Sequence, residues 1–218
     1  MVTKIPVLGE EGEHYNYAIR KNWDLLWIVD PLDGTKEFVK RNGEFTVNIG
    51  LCKSGVSILG VIFSPVFKDL YFAADGIGSF KINRHVYIEN ELTISNAKTI
   101  NELISFAQKL PLQKLPETYT VVASRSHHNP ELKKYIKQLE LNQNIASIYS
   151  GSSIKMCWVA EGKAHEYPRF GRTMEWDTCA GHNILKNAGG TIVNSYTNLP
   201  ITYNKENIEN PSFIAKLI

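Results

Sequence analysis

Residues 27 to 46 constrain this chain more than any other stretch. Trp27-Ile28-Val29 is a short apolar run that stops at Asp30. Pro31 and Leu32 follow, then Asp33-Gly34, then Thr35-Lys36-Glu37-Phe38-Val39. An apolar run of this length, bounded by turn residues, predicts a buried strand ending at Asp30. Pro31 has no N–H and a fixed φ, so the turn is stiff, and Leu32 offers a carbonyl that the turn leaves free. Thr35 is the expected cap of a helix running through Val39. The exposed N–H groups of a helix start favour an anion such as phosphate. Carboxylates and a carbonyl favour a hard cation such as Mg²⁺. A metal beside a phosphate is the arrangement that phosphoryl hydrolysis uses. Asp-Pro and Asp-Gly are also ordinary turn dipeptides, so the rest of the chain decides the matter.

At 218 residues the chain can bury a sizeable core, as one domain or two small ones. Its net charge of +2 gives no argument for nucleic acid, and leaves room for a local basic pocket. The richest apolar run, residues 58 to 67, is interrupted by Ser64 and Pro65, so no membrane span is expected. There is no apolar stretch near Met1 of the kind a secretory signal needs. Cys52, Cys157 and Cys179 are odd in number and far apart, which reads as structural thiols in a reducing compartment.

In chain order, Val7-Leu8 leads into the acidic, Gly-bounded loop Gly9-Glu10-Glu11-Gly12-Glu13. Alternating runs at 46–51, 58–63, 70–74 and 79–82, with turns at Gly55 and at Asp75-Gly76, predict an antiparallel sheet. The texture turns polar near residue 96, and a division into 1–95 and 96–218 is drawn there. In the second half, strands are expected at 120–123, 146–149 and 191–193, with a helix from Pro130 to about Leu139. Ser150-Gly151-Ser152-Ser153 leads from a strand into a helix, a geometry that suits an anion, although such clusters are also the commonest of loops. Asp177 reads either as a cap of the helix that closes at Gly189-Gly190 or as a third carboxylate delivered from the second half.

Three blocks stand in one order: Glu10-Glu11, Asp30-Pro31-Leu32-Asp33-Gly34-Thr35, and Trp176-Asp177 with Gly181 and Ala188-Gly189-Gly190. In these the chain resembles the inositol monophosphatase-like superfamily of Mg²⁺-dependent, lithium-sensitive phosphatases. Further blocks are similar to its bacterial 3'(2'),5'-bisphosphate nucleotidases. These are Lys36-Glu37-Phe38, residues 41–48, Ser124-Arg125-Ser126-His127, Gly151-Ser152-Ser153 with Lys155, and Tyr167-Pro168-Arg169-Phe170.

The resemblance implies an α+β fold, a layered α-β-α-β-α sandwich with an antiparallel sheet in the first half and a mixed sheet in the second. It implies two or three Mg²⁺ ions held by Glu10, Asp30, Asp33, Asp177 and the Leu32 carbonyl, with Thr35, Asp33 and Glu10 as catalytic residues. Gly34 and Thr35 would hold the scissile phosphate. Ser126, His127, Ser152, Lys155 and Arg169 would bind the nucleotide and its second phosphate, although Arg169 reads equally well as surface charge. The implied reaction converts adenosine 3',5'-bisphosphate to AMP and phosphate in the cytoplasm, with peripheral association to the inner membrane left open. An inositol or sugar phosphatase and a nucleotide-binding remnant without turnover are the alternatives.

One departure stands out. Superfamily members carry two helices ahead of the Glu-Glu loop, and near them a Thr-Ala-Asp-like segment whose Asp pairs with the threonine equivalent to Thr35. This sequence starts at Met1 just before the loop and holds no such Asp. The expectation is a fold without those helices, an apolar sheet face left open, weakened metal binding and impaired turnover.

Overall fold

The Asp30 strand sits inside a large sheet that takes up the whole first half of the chain. The computed structural model describes residues 5–12, 15–125 and 129–218. Its first elements are β1 (Val7–Gly9), α1 (Tyr17–Arg20), β2 (Leu25–Asp33), α2 (Thr35–Val39), β3 (Thr46–Lys53), β4 (Val56–Ser64), β5 (Asp69–Ala74), β6 (Gly78–Ile82), α3 (Arg84–Ser95), α4 (Ile100–Ile104) and β7 (Gln108–Lys109). The second half holds β8 (Tyr119–Ser124), α5 (Pro130–Glu140), β9 (Ile145–Ser150), α6 (Ile154–Ala160), β10 (Glu166–Arg169), α7 (Glu175–Asn187), β11 (Gly190–Asn194) and β12 (Phe213–Leu217).

Strands β1 to β7 pair in chain order as a seven-stranded sheet. The predicted hairpins are present: Ser54 and Gly55 both take positive φ in the β3–β4 turn, and Gly76 does so between β5 and β6. The sheet departs from the antiparallel expectation at one edge, where β1 runs parallel to β2. The chain between them, residues 10 to 24, is long enough to cross back before β2 begins, which a parallel pairing requires. The sheet also continues through α4 to β7, which pairs with β6, and so passes the 95/96 division drawn from sequence. The second sheet is mixed, in the order β11-β12-β10-β8-β9.

The layers follow from which faces are apolar. Leu26, Ile28, Ile62 and Tyr71 from the first sheet share one core with Met156 and Val159 of α6 and Ile184 and Leu185 of α7. Phe213 and Ala215 of the second sheet close the same core, so α6 and α7 lie between the sheets. On the outer side of the first sheet, Phe72, Phe80 and Ile82 pack with Ile94 of α3 and with Ile100, Leu103 and Ile104 of α4. Glu166 and Tyr167 point to opposite faces of β10, as neighbours on a strand do. Tyr135 of α5 bonds the Glu166 carboxylate, while Tyr167 belongs to the central core, so α5 covers the outer face of the second sheet. The result is the expected α-β-α-β-α sandwich. The outer face of β1 to β3 is less covered, with Val7 and Ile49 at 49% and 37% exposure. Among the described residues, no helix is long and apolar enough to cross a membrane. The three cysteines are free and buried.

Two features fix the middle layer. Helix α7 rests with its backbone directly on the first sheet where Gly50 pairs with Gly60. A Cβ at Gly60 would stand 2.1 Å from the Ala180 carbonyl oxygen. The C-cap of α6, Glu161, carries a carboxylate only 1% exposed. It accepts from Lys81 Nζ of β6 at 2.9 Å and from Lys163 Nζ at 2.6 Å, and also from the Tyr71 hydroxyl of β5. A buried carboxylate satisfied this fully anchors α6 to the opposite sheet.

Candidate active site

Strand β2 runs past its expected end at Asp30 and continues to Asp33 through an irregularity: Asp30 faces Asn48, and the next paired residue, Asp33, faces Thr46. Two residues of β2 therefore oppose one of β3, a bulge that re-aims side chains at a strand end. The Leu32 N–H closes the turn on Asp30 Oδ1 at 2.9 Å. Gly34 follows with φ +93° and caps α2 in the left-handed conformation. Thr35, expected as the cap, is instead the first helical residue, because the left-handed position needs glycine.

Asp177 is the third residue of α7. Its Oδ2 accepts the Met174 N–H at 2.8 Å, so it does cap the helix, as the simpler reading held. It also joins a cluster: Asp30, Asp33 and Asp177 each offer an oxygen, and the three oxygens lie within 4.8 Å of one another. The start of α7 is held by its own brace. The fully buried Glu175 carboxylate accepts from the Asn204 and Lys205 N–H groups at 2.6 and 2.9 Å and from Lys205 Nζ at 2.6 Å. The buried Arg20 guanidinium in turn donates to Asn204 Oδ1 at 2.8 Å.

Glu10 stands at the rim of this cluster. The parallel pairing sets Gly9 opposite Val29, so Glu10 follows β1 just where Asp30 follows Val29, and its N–H donates to the Val29 carbonyl at 3.3 Å. Glu10 is exposed and is not among the three residues whose oxygens converge. Its charge still adds to the upward push on Asp30 and Asp177.

The electrostatics are those of a cation seat. Burial, then the Asp33 charge, raises Asp30 to about 8 and Asp177 to about 7. Burial also raises Asp33, opposed first by Lys155. Asp30 is 1% exposed, and among the described residues its buried Oδ2 has no hydrogen-bond partner. A buried carboxylate oxygen with no donor, crowded by two other carboxylates, is destabilising unless a cation completes it. An all-oxygen donor set fits a hard divalent ion.

Beside the cluster lies a cavity of about 260 Å³. Asp33, Gly34, Thr35, Ser152, Lys155, Arg169 and Asp177 all line it. Lys155 is buried, donates to the Ser152 carbonyl, and lies 5.2 Å from the centre of the Tyr167 ring. Burial lowers its amine to about 8, opposed by the Asp33 charge. Arg169 lines this cavity as well. Among the described residues its buried Nε has no partner, and Nη2 donates to the Arg172 carbonyl at 3.0 Å. Ser126 and His127 lie outside the described residues.

The inositol monophosphatase family profile matches residues 2–217. The chain belongs to that family. Among relatives within it, the 3'(2'),5'-bisphosphate nucleotidase CysQ of Escherichia coli K12 is 42% identical over 210 residues, covering 96% of this chain and 74% of the relative. The CysQ nucleotidase of Haemophilus influenzae is 32% identical, covering 96% and 71%. The crystal structure of CysQ from Bacteroides thetaiotaomicron, described as a bacterial member of the family, superposes with a TM-score of 0.90 at 48% identity. It covers 99% of this chain and 78% of that one. Family members are metal-dependent, and the acidic cluster agrees.

Sequence reasoning missed what holds the acidic cluster in place. Ser153, passed over in favour of Ser152, donates its N–H to Asp33 Oδ2 at 2.5 Å and its hydroxyl to Asn48 Oδ1 at 2.7 Å. Its hydroxyl also lies 2.8 Å from Thr46 Oγ1. Thr46 and Asn48 belong to the block 41–48, which carried a resemblance but no assigned role. In sequence Thr46 and Asn48 read as the polar positions of a half-buried strand, whereas the fold buries both completely.

Proposed function

We propose that this chain is a Mg²⁺-dependent 3'(2'),5'-bisphosphate nucleotidase. It hydrolyses adenosine 3',5'-bisphosphate, the by-product of sulfate activation, to AMP and phosphate in the cytoplasm. The observation that carries the reading is a single cavity that joins Asp33 and Asp177 with Lys155 and Arg169. Carboxylates alone would suit any divalent-metal site. A buried amine and a guanidinium beside them suit a substrate bearing a second phosphate.

Asp30, Asp33 and Asp177, with Glu10 and the Leu32 carbonyl, would hold the ions. Two or three bound Mg²⁺ would supply an activated water and charge neutralisation at the leaving oxygen. Gly34 and Thr35 present backbone N–H groups to the scissile phosphate, and the Thr35 hydroxyl orients the water. Ser152, Lys155 and Arg169 hold the nucleotide and its other phosphate, and Ser126 and His127 are assigned to the same task. Ser153 keeps Asp33 in place from the opposite half. Staphylococcus aureus inositol monophosphatase-II structures carry inositol monophosphate in one case and 2'AMP in another. An inositol phosphate is therefore the comparison substrate.

Phosphate release is measured with Mg²⁺ titrated in, on adenosine 3',5'-bisphosphate and on inositol 1-phosphate. Mg²⁺-dependent release from the nucleotide, exceeding that from inositol 1-phosphate, is the expected result. Faster release from inositol 1-phosphate would move the substrate class. Nucleotide binding with no release at any Mg²⁺ concentration would leave a binding protein.

A further inference from the structure

Residues 40 to 45 connect α2 to β3, and Glu44 among them reaches the far half of the chain. The Glu44 carboxylate accepts the Gly151 N–H at 2.8 Å and takes Arg125 through Nε at 3.1 Å and Nη2 at 2.7 Å. Arg125 is tied back to its own half, through Nη2 to the Tyr149 carbonyl at 3.0 Å and through its N–H to the Ser150 carbonyl at 3.2 Å. Glu44 is held from its own side as well, because its N–H donates to Asn42 Oδ1 at 2.9 Å.

The fit is tight on both walls of the cavity. A Cβ at Gly151 would stand 2.8 Å from the Glu44 carbonyl oxygen. A Cβ at Gly34 would stand 3.2 Å from the same atom. Glu44 is thus wedged between the two glycines whose loops border the anion cavity. Its side chain is 14% exposed, and that of Arg125 is 51% exposed. A carboxylate at this place opposes an incoming phosphate unless a cation cancels it, and Arg125 is that cation.

We infer that Glu44 and Arg125 form a positioning clasp for the anion cavity. Glu44 sets the Gly151–Ser153 loop through the Gly151 N–H, and Arg125 neutralises the carboxylate that does so. Neither is a catalytic residue. The inference rests on the phosphatase reading for the identity of the anion. It explains why a block with no metal ligand and no cavity-lining side chain is built so closely around the site.

The decisive feature is the sign of the coupling. Arg125→Met leaves Glu44 charged and unpaired at the rim, and raises KM for the bisphosphate roughly ten-fold, the scale of one charge-assisted contact. The kcat and the Mg²⁺ concentration for half-maximal rate stay within about two-fold. Glu44→Gln alone has a smaller effect. In the double variant KM falls back below that of Arg125→Met, because the uncompensated charge is gone. Arg125→Lys restores part of the loss. Thermal melting of each variant confirms that the folded protein is compared.

Orthophosphate binding in Mg²⁺, followed by calorimetry on the same proteins, reads the clasp without turnover. Coupling of the expected sign with no turnover by the parent chain would overturn the proposed substrate and keep the clasp. Additive effects, or an unchanged KM and phosphate affinity in Arg125→Met, would overturn the clasp.

Discussion

Asp30→Asn is expected to abolish phosphate release and, at the same time, to make the metal-free protein more stable. The loss of turnover should reach roughly 10³-fold, on the scale of removing a group that supports transition-state charge directly. The gain in stability comes from the cluster itself. Asp30 is buried, within 4.8 Å of two other carboxylate oxygens, and one of its own oxygens has no donor among the described residues. Asn fills the same volume without the charge. Relief of about 1–3 kcal/mol is expected, visible as a melting temperature several degrees higher without metal.

The pH dependence follows from the same crowding. Asp30 and Asp177 are raised from 3.8 to about 8 and about 7 in the folded chain. Between the unfolded and folded values the native state holds protons that the unfolded state has lost. Stability of the metal-free protein therefore falls as pH rises from about 4 to about 8, and levels off above. Added divalent cation should flatten that slope, as should Asp30→Asn. Melting curves of the two proteins across this range, with and without Mg²⁺, are the measurement. A lower melting temperature for metal-free Asp30→Asn would show that the cluster is not a strained cation seat.

Gly60→Ala is the second large expected effect, and it acts through stability. The new methyl would meet Ala180 backbone, with the carbonyl oxygen at 2.1 Å and the carbonyl carbon at 2.9 Å. Neither atom can move without lifting α7 from the sheet. Gly181→Ala on the same helix is the control, because its methyl would meet the flexible end of Met156, with Cε at 2.6 Å. Loss of about 3 kcal/mol or more is expected at Gly60, against about 1–2 kcal/mol at Gly181. Because Asp177 rides on α7, Gly60→Ala should also weaken metal binding in whatever fraction folds. Urea denaturation midpoints decide it; a Gly60→Ala midpoint equal to that of the parent chain would mean the helix is not seated as described.

The acidic cluster was partly legible in sequence, because each of its carboxylates sits in a local pattern. Asp30, Asp33 and Gly34 announce a turn with carboxylates, and Asp177 announces a helix start. The parallel course of β1 was not legible, because Val7 to Gly9 is too short to carry a direction. Helix α3 was missed because its apolar residues follow no clear stripe and it includes Asn90 in a non-helical conformation. Ser153, Thr46, Asn48 and Glu44 were missed for a different reason. Each does its work by touching a residue about a hundred positions away, and no local pattern encodes such a partner. Arg169 reads either way from sequence, and only the fold places it on the cavity wall.

The seating of α7 has a consequence for how the chain comes to be folded. Leu26, Ile28, Ile62 and Tyr71 belong to strands finished by Ala74, yet their cover is α6 and α7, which begin only at Ile154 and Glu175. During synthesis the first sheet can pair its strands early, by local hairpins. Its inner face then waits, apolar and incompletely covered, until α6 and α7 have both emerged. The final assembly step is a long-range docking, slow by its loop-closure entropy and exposed to aggregation while it lasts. That same step brings Asp177 to Asp30 and Asp33, so a nascent chain has no assembled site until its central helix is in place.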